Sequence, residues 1–139
     1  MRHSQLKHFG LLLDIICRLG ETHQISLTYS HSYSKSVSDA IDYISKNLSA
    51  GMTVKQISNA LWISESKLRN DFKDQMHITI GKYIEQCLFD AAQKLLEDPS
   101  IPIGQISQKL GFCDHSYFSG KFKKKYNCTP AQFRQKTVK

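Results

Sequence analysis

The chain has 139 residues, 40% of them apolar, with only 7 Gly and 3 Pro, which allows a packed core and excludes a chain disordered throughout. Its net charge is +7 and the excess is local: residues 109–139 hold eight Lys and Arg against the single acid Asp114, while residues 1–108 balance. Such a field suits a polyanion, nucleic acid first and an anionic membrane surface second. The four cysteines are far apart with no CxxC or CxxH pair, which argues against a zinc site and fits reduced thiols in a cytosol, and no apolar run of about 18 residues is present to span a membrane.

Residues 5–20 place Leu6, Phe9, Leu12, Leu13, Ile16 and Leu19 near helical spacing. That helix would have too much apolar surface to stand alone in water, so it is expected to pack on the chain, on a further domain or on a second copy, as in a homodimer. The start, MRHSQLKHFGLLLDIIC, is not read as a signal peptide, because Asp14 interrupts it and no small-residue cleavage site follows. His3, His8, His23 and His31 offer no i, i+4 pair, so no metal is expected. Residues 21–38 are polar and serine-rich and read as a linker. Residues 1–35 are taken as an appendage and 36–139 as the main domain.

From Val37 the pattern tightens. Val37, Ala40, Ile41, Ile44 and Leu48 follow helical spacing, and Gly51 is expected to end this helix at positive φ. An internal repeat follows. Gln56-Ile57-Ser58 and Leu61 match Gln105-Ile106-Ser107 and Leu110 at an offset of 49; after one extra residue, Ser66, Phe72, Lys73 and Thr79 match Ser116, Phe122, Lys123 and Thr129 at an offset of 50. Each copy reads as helix, turn, helix. Thr53 and Gln56 form a capping box for the first helix, and Ser64 caps the second, with Glu65 near its positive end. In the other copy Pro102 sits in the first turn, Gly111 makes the turn and Asp114 caps the following helix. Leu68 and Phe72 in one copy, and Tyr117, Phe118 and Phe122 in the other, are expected to hold the second helices onto the domain. Between the copies, residues 80–97 predict one long helix, capped by Thr79 and stopped by Pro99, with Tyr83, Ile84, Cys87, Leu88, Ala91, Leu95 and Leu96 inward. Thr129 and Pro130 start a last helix. Arg134 is expected to pack within the domain or meet its acids, and Tyr126 to be core.

A helix pair joined by a short turn can place its second helix in the DNA major groove, provided one face of that helix is apolar and the other can reach bases and phosphates. HSYFSGKFKKKYN, residues 115–127, meets both needs. No Gly-rich phosphate loop and no nucleophile–base arrangement is present, so no enzyme and no cofactor is expected.

From about residue 36 to 136 the chain resembles the DNA-binding domain of AraC/XylS-type bacterial transcription regulators. The stretches that carry this are ISNALWISESKLRNDFK, YIEQCLFDAAQKLL and ISQKLGFCDHSYFSGKFKKKYNCTPAQFR, with Gly111-Phe112, Ser116-Tyr117-Phe118, Phe122, Pro130 and Phe133-Arg134 in the positions of the family signature. The resemblance implies an all-α, seven-helix domain, two helix-turn-helix subdomains bridged by a long helix, here with an extra N-terminal helix. It implies double-stranded promoter DNA as the partner, activation through RNA polymerase, and the bacterial cytoplasm and nucleoid as the location, with no membrane. Carried over by position, Ser66, Arg69 and Asn70 are base-reading candidates of the first unit, and His115, Ser116 and Ser119 of the second. Lys67, Lys73, Lys121, Lys123 and Lys124 are phosphate candidates. Ser64 and Glu65 stand at the same helix start, Glu65 either completing the dipole or accepting from cytosine.

The chain departs from the family pattern at Trp62, where the first turn usually has Gly; at Leu88, where the bridging helix commonly has Arg; and at Gly120, where the second recognition helix usually has a longer residue. Members also commonly carry a sensing and dimerising domain in front. Two other readings fit the same residues: a helical protein-interaction adaptor, and a non-specific nucleic-acid binder using the basic end.

Overall fold

The computed structural model describes residues 33–138, which form seven helices and no strand. The helix and dimer surface expected over residues 5–20 lie outside the described residues. Helix α1 (Lys35–Asn47) buries Val37, Ala40, Ile41 and Ile44, one stripe at helical spacing. Its N-cap Ser34 makes no side-chain cap bond. The start of α1 is instead tied across space to residues 71–75: the Ser34 N–H donates to Gln75 Oε1 at 2.7 Å and the Ser36 hydroxyl to Asp71 Oδ2 at 2.6 Å. The helix does not end on a left-handed glycine. The chain leaves through Leu48 at φ −56° and ψ 119°, and the Met52 N–H closes the turn on Ser49 O, so Gly51 is not needed at positive φ and does not adopt it.

Helices α2 (Val54–Ala60) and α3 (Glu65–Met76) make the first unit. The expected capping box is present: Thr53 Oγ1 accepts from the Gln56 N–H, and Gln56 Oε1 accepts from the Thr53 N–H. Ser64 Oγ accepts from the Lys67 N–H at the start of α3. Helix α4 (Ile80–Leu96) is the bridge, capped by Thr79, and its 17 residues make a rod of about 26 Å. Helices α5 (Ile103–Lys109) and α6 (His115–Tyr126) make the second unit, and α7 (Pro130–Thr137) closes the chain. Pro102 stands one residue ahead of its expected place, as the N-cap of α5. Asp114 Oδ1 accepts the Tyr117 N–H at 2.8 Å, and Thr129 with Gln132 forms a second capping box at α7.

Helices α1, α2 and α3 pack on one another and reach α4 through α3, while α5, α6 and α7 pack together and reach α4 through α5 and α7 and through the side chains of α6. Gripped from two sides, α4 buries a stripe displaced from the one expected. Ile80, Phe89 and Ala92 join Tyr83, Ile84, Leu88 and Leu96 inside, while Cys87, Ala91 and Leu95 are only half-buried. Phe89 accounts for the difference, because its ring packs against Phe112, Phe122 and Tyr126 of the second unit. Tyr126 is half-buried rather than core. Its ring stacks 4.6 Å from that of Phe122, and desolvation, then the nearby Asp90, pushes its hydroxyl up to about 12. Arg134 packs within the domain as expected, donating to the carbonyls of Leu96 and Ile101 at 3.2 and 2.7 Å, and so fastens both ends of the α4–α5 loop.

Candidate nucleic-acid interface

Both units share one backbone plan. In the first, the Trp62 and Ile63 N–H groups return to Asn59 O and Ser58 O; in the second, Gly111 and Phe112 return to Gln108 O and Ser107 O. Trp62 therefore aligns with Gly111 and Ile63 with Phe112, and the extra residue of the second copy is the exposed Cys113, just before the cap Asp114. Each second helix ends on a left-handed residue that sequence reasoning passed over, His77 at φ 59° and Asn127 at φ 57°. Asn is among the residues that tolerate this region, so a signal was there to be found.

Each second helix shows two unlike faces. Leu68, Phe72 and Met76 of α3 are buried, as are Phe118 and Phe122 of α6. Tyr117 differs from expectation: it does not hold α6 to the domain but stands 51% exposed beside the buried Phe118. One residue is a rotation of about 100° on a helix, which is enough to move it from the inner face to the outer.

On α3, Ser64, Ser66, Lys67, Arg69, Asn70 and Lys73 are exposed and Glu65 is half-exposed. Two of these cations are already paired within the helix: Lys67 Nζ lies 2.9 Å from Asp71 Oδ2, and Arg69 Nη2 lies 3.3 Å from Glu65 Oε2. The Ser36 hydroxyl, and after it Lys67, hold the Asp71 carboxyl below the usual carboxylate range. On α6, His115, Ser116, Lys123 and Lys124 are exposed and Ser119 is half-buried. No acid lies on α6, and neither Lys123 nor Lys124 forms an ion pair among the described residues.

Lys121 behaves differently from its neighbours. Its Nζ sits 3.5 Å from Glu85 Oε1 on α4 and 5.7 Å from the Tyr117 ring centroid. Lys125 leans 5.0 Å from the Phe89 ring centroid, against the aromatic cluster. Ser64 to Lys73 thus lie on and just before one second helix and His115 to Lys124 on the other, with Lys121 turned toward the bridge. Among the described residues no group of three or more His, Cys, Asp or Glu could hold a metal, and no helix is long and apolar enough to cross a membrane.

The turns differ in strain. Gly111 has φ 76°, and a β-carbon there would run into the Ser49 hydroxyl from the loop after α1, whose Ala50 N–H donates to Leu110 O. Trp62 has φ 55° and 93% exposure, so its left-handed backbone, costing about 1–2 kcal/mol, meets open solvent. The turn is not rebuilt to suit the bulky residue. At Gly120 a β-carbon would meet nothing within 4 Å.

A family model described as a helix-turn-helix domain matches residues 57–136, more than half the chain. The chain is 33% identical over 109 residues to the xylose operon regulatory protein of Escherichia coli (strain K12), covering 78% of this chain and 28% of that protein. It is 31% identical over 134 residues to the Msm operon regulatory protein of Streptococcus mutans, covering 95% of this chain and 48% of that protein. It therefore spans less than half the length of these curated relatives. Among solved structures, the C-terminal domain of AraT, a response regulator from Geobacillus stearothermophilus, superposes with a TM-score of 0.73 at 26% identity, covering 78% of this chain and 90% of that one.

Proposed function

The chain belongs to the AraC-type helix-turn-helix family of transcription regulators, and on that premise we propose that it binds double-stranded promoter DNA with α3 and α6 in major grooves and activates transcription through RNA polymerase. The observation that carries this reading is the repetition of one device. Two side-chain-capped helices are each locked by buried Leu or Phe, and each presents an exposed polar face from the same frame. A protein-docking surface has no need of two such faces, whereas successive grooves of a duplex repeat every ~34 Å and ask for two readers. The bridge at about 26 Å is somewhat shorter, which favours a bent duplex.

In this reading Ser66, Arg69 and Asn70 address bases in the first groove, with Glu65 holding Arg69 extended until the base replaces it. Ser64 serves as the cap. His115, Ser116 and Ser119 address the second groove, where Gly120 leaves a gap in the reading face. Lys123 and Lys124 meet phosphates, Lys73 flanks the first groove, and Lys67 and Lys121 must first leave Asp71 and Glu85.

The test is a binding selection from random duplex DNA at near-physiological salt. One enriched motif with two blocks about a helical turn apart supports two readers. A single block assigns reading to α3 and leaves α6 an electrostatic anchor. No motif sinks the reading in favour of a non-specific binder or an adaptor. Arg69→Ala is expected to relax base preference at one position by roughly 1–3 kcal/mol rather than weaken all sequences equally. Loss of promoter-dependent transcripts from purified polymerase when the protein is withheld would support the activator role.

A further inference from the structure

Trp62 is the residue that the fold does least to accommodate. Its indole is 93% exposed, and its backbone is left-handed at φ 55°, where the aligned residue of the second unit is glycine. Among the described residues the other non-glycine residues at positive φ, His77 and Asn127, end helices, a place where polar side chains commonly take that conformation. Trp62 likewise follows the end of α2, its N–H returning to Asn59 O and that of Ile63 to Ser58 O, but it is a bulky indole rather than a polar side chain and contributes nothing to the core. A bulky residue kept in a conformation that glycine would adopt without strain points to a use outside the domain.

Position suggests the use. Trp62 lies two residues before Ser64, the cap of α3. In a helix-turn-helix the first helix crosses the DNA backbone and the second enters the groove by its N-terminal residues, so the turn between them stands at the groove wall. We propose that Trp62 is a DNA contact of the first unit, its indole lying against deoxyribose and thymine-methyl surface beside α3. This rests on the reading of the chain as a DNA-binding regulator. The chemistry fits what the first unit lacks. Its cations Lys67 and Arg69 are partly neutralised by acids on their own helix, whereas α6 carries lysines without acids. A flat, rigid aromatic supplies contact area that salt does not screen, and its N–H can donate to a phosphate oxygen.

The chain has one Trp, so indole emission reports on this turn alone. The probe is a fluorescein-labelled duplex carrying the enriched sequence, with binding read by its anisotropy and Trp emission followed on an unlabelled copy. The duplex is expected to quench or shift the emission. Trp62→Gly is expected to bind about tenfold more weakly with an unchanged salt slope, while its thermal midpoint equals or exceeds that of the parent because strain is relieved. Trp62→Phe should keep most of the affinity. If Trp62→Gly binds the duplex as tightly as the parent, the proposal is overturned whatever the emission does, and the DNA-binding reading stands. If that variant also loses polymerase-dependent transcription, the indole belongs to a protein contact instead. No anisotropy rise for the parent on any duplex, down to low salt, overturns the DNA-binding reading and this proposal with it.

Discussion

In the first unit Lys67 and Arg69 each have an acid one helical turn away, and helix α3 as a whole carries as many acids as bases. In the second, α6 carries Lys121, Lys123, Lys124 and Lys125 with no acid at all, and a ring cluster of Phe118, Phe122, Tyr126, Phe133 and Phe89 lies behind them. Two copies of one backbone plan have therefore been given different surfaces. The first is neutral and polar, which in the proposed reading suits it to discriminating between bases. The second is strongly cationic over a heavy aromatic base, suited to holding phosphate. The aromatic mass also answers a physical need. Like-charged lysines on successive turns repel one another, and a helix that bears them requires more burial to stay in place.

The largest test of this contrast is in the cores. Phe122→Ala and Phe72→Ala should each lose about 3–5 kcal/mol by chemical denaturation. Phe122 contacts four of the rings around it, whereas Phe72 meets Tyr83, so the first variant should also lose hydrogen-exchange protection across α6 and α7 together. Equal and local losses would show that the aromatic cluster is not a cooperative block.

Next are the turns. Gly111→Ala should cost about 2–3 kcal/mol, since left-handed strain adds to a collision with Ser49. The smaller change at Gly120→Ala should stabilise by about 1 kcal/mol, because the site is helical and open. A neutral Gly111→Ala would mean that the loop after α1 yields easily and that the two turns are equivalent.

For binding, Lys123→Ala with Lys124→Ala should shallow the plot of log affinity against log salt by about two units. Lys67→Ala should change it by less than about one unit, since Asp71 already holds that charge. Equal slopes per lysine would erase the proposed division of labour. The smallest effect concerns acid. Asp71 is held below the ordinary carboxylate range chiefly by the Ser36 hydroxyl, so the α1–α3 tether contributes fully above the unfolded pKa of about 4 and is lost as pH falls through the lower folded value. Ser36→Ala should move the Asp71 titration upward by NMR and narrow that acid-side loss; no movement would remove the tether.

Much of the frame was legible in the sequence because its signals are local. Thr53, Ser64, Thr79, Asp114 and Thr129 cap their helices by accepting from an N–H three residues on, so a few neighbouring letters suffice. The repeat, its one-residue step and the segregation of charge are likewise properties of the string. Most candidate residues of α3 and α6 could be placed on outward faces by spacing alone, but Ser119 and Lys121 are half-buried and Tyr117 is misplaced by one step of the helix. What only the tertiary structure decided depends on atoms far apart in the chain. Gly111 is compelled by Ser49, Lys121 is drawn to Glu85, Arg134 reaches Leu96 and Ile101, and the buried stripe of α4 shifts to include Ile80, Phe89 and Ala92 because two units grip it. Trp62 shows the division most plainly. The sequence marks it as an unusual residue for a turn, but only the packing around that turn leaves it in open solvent while its counterpart must be glycine.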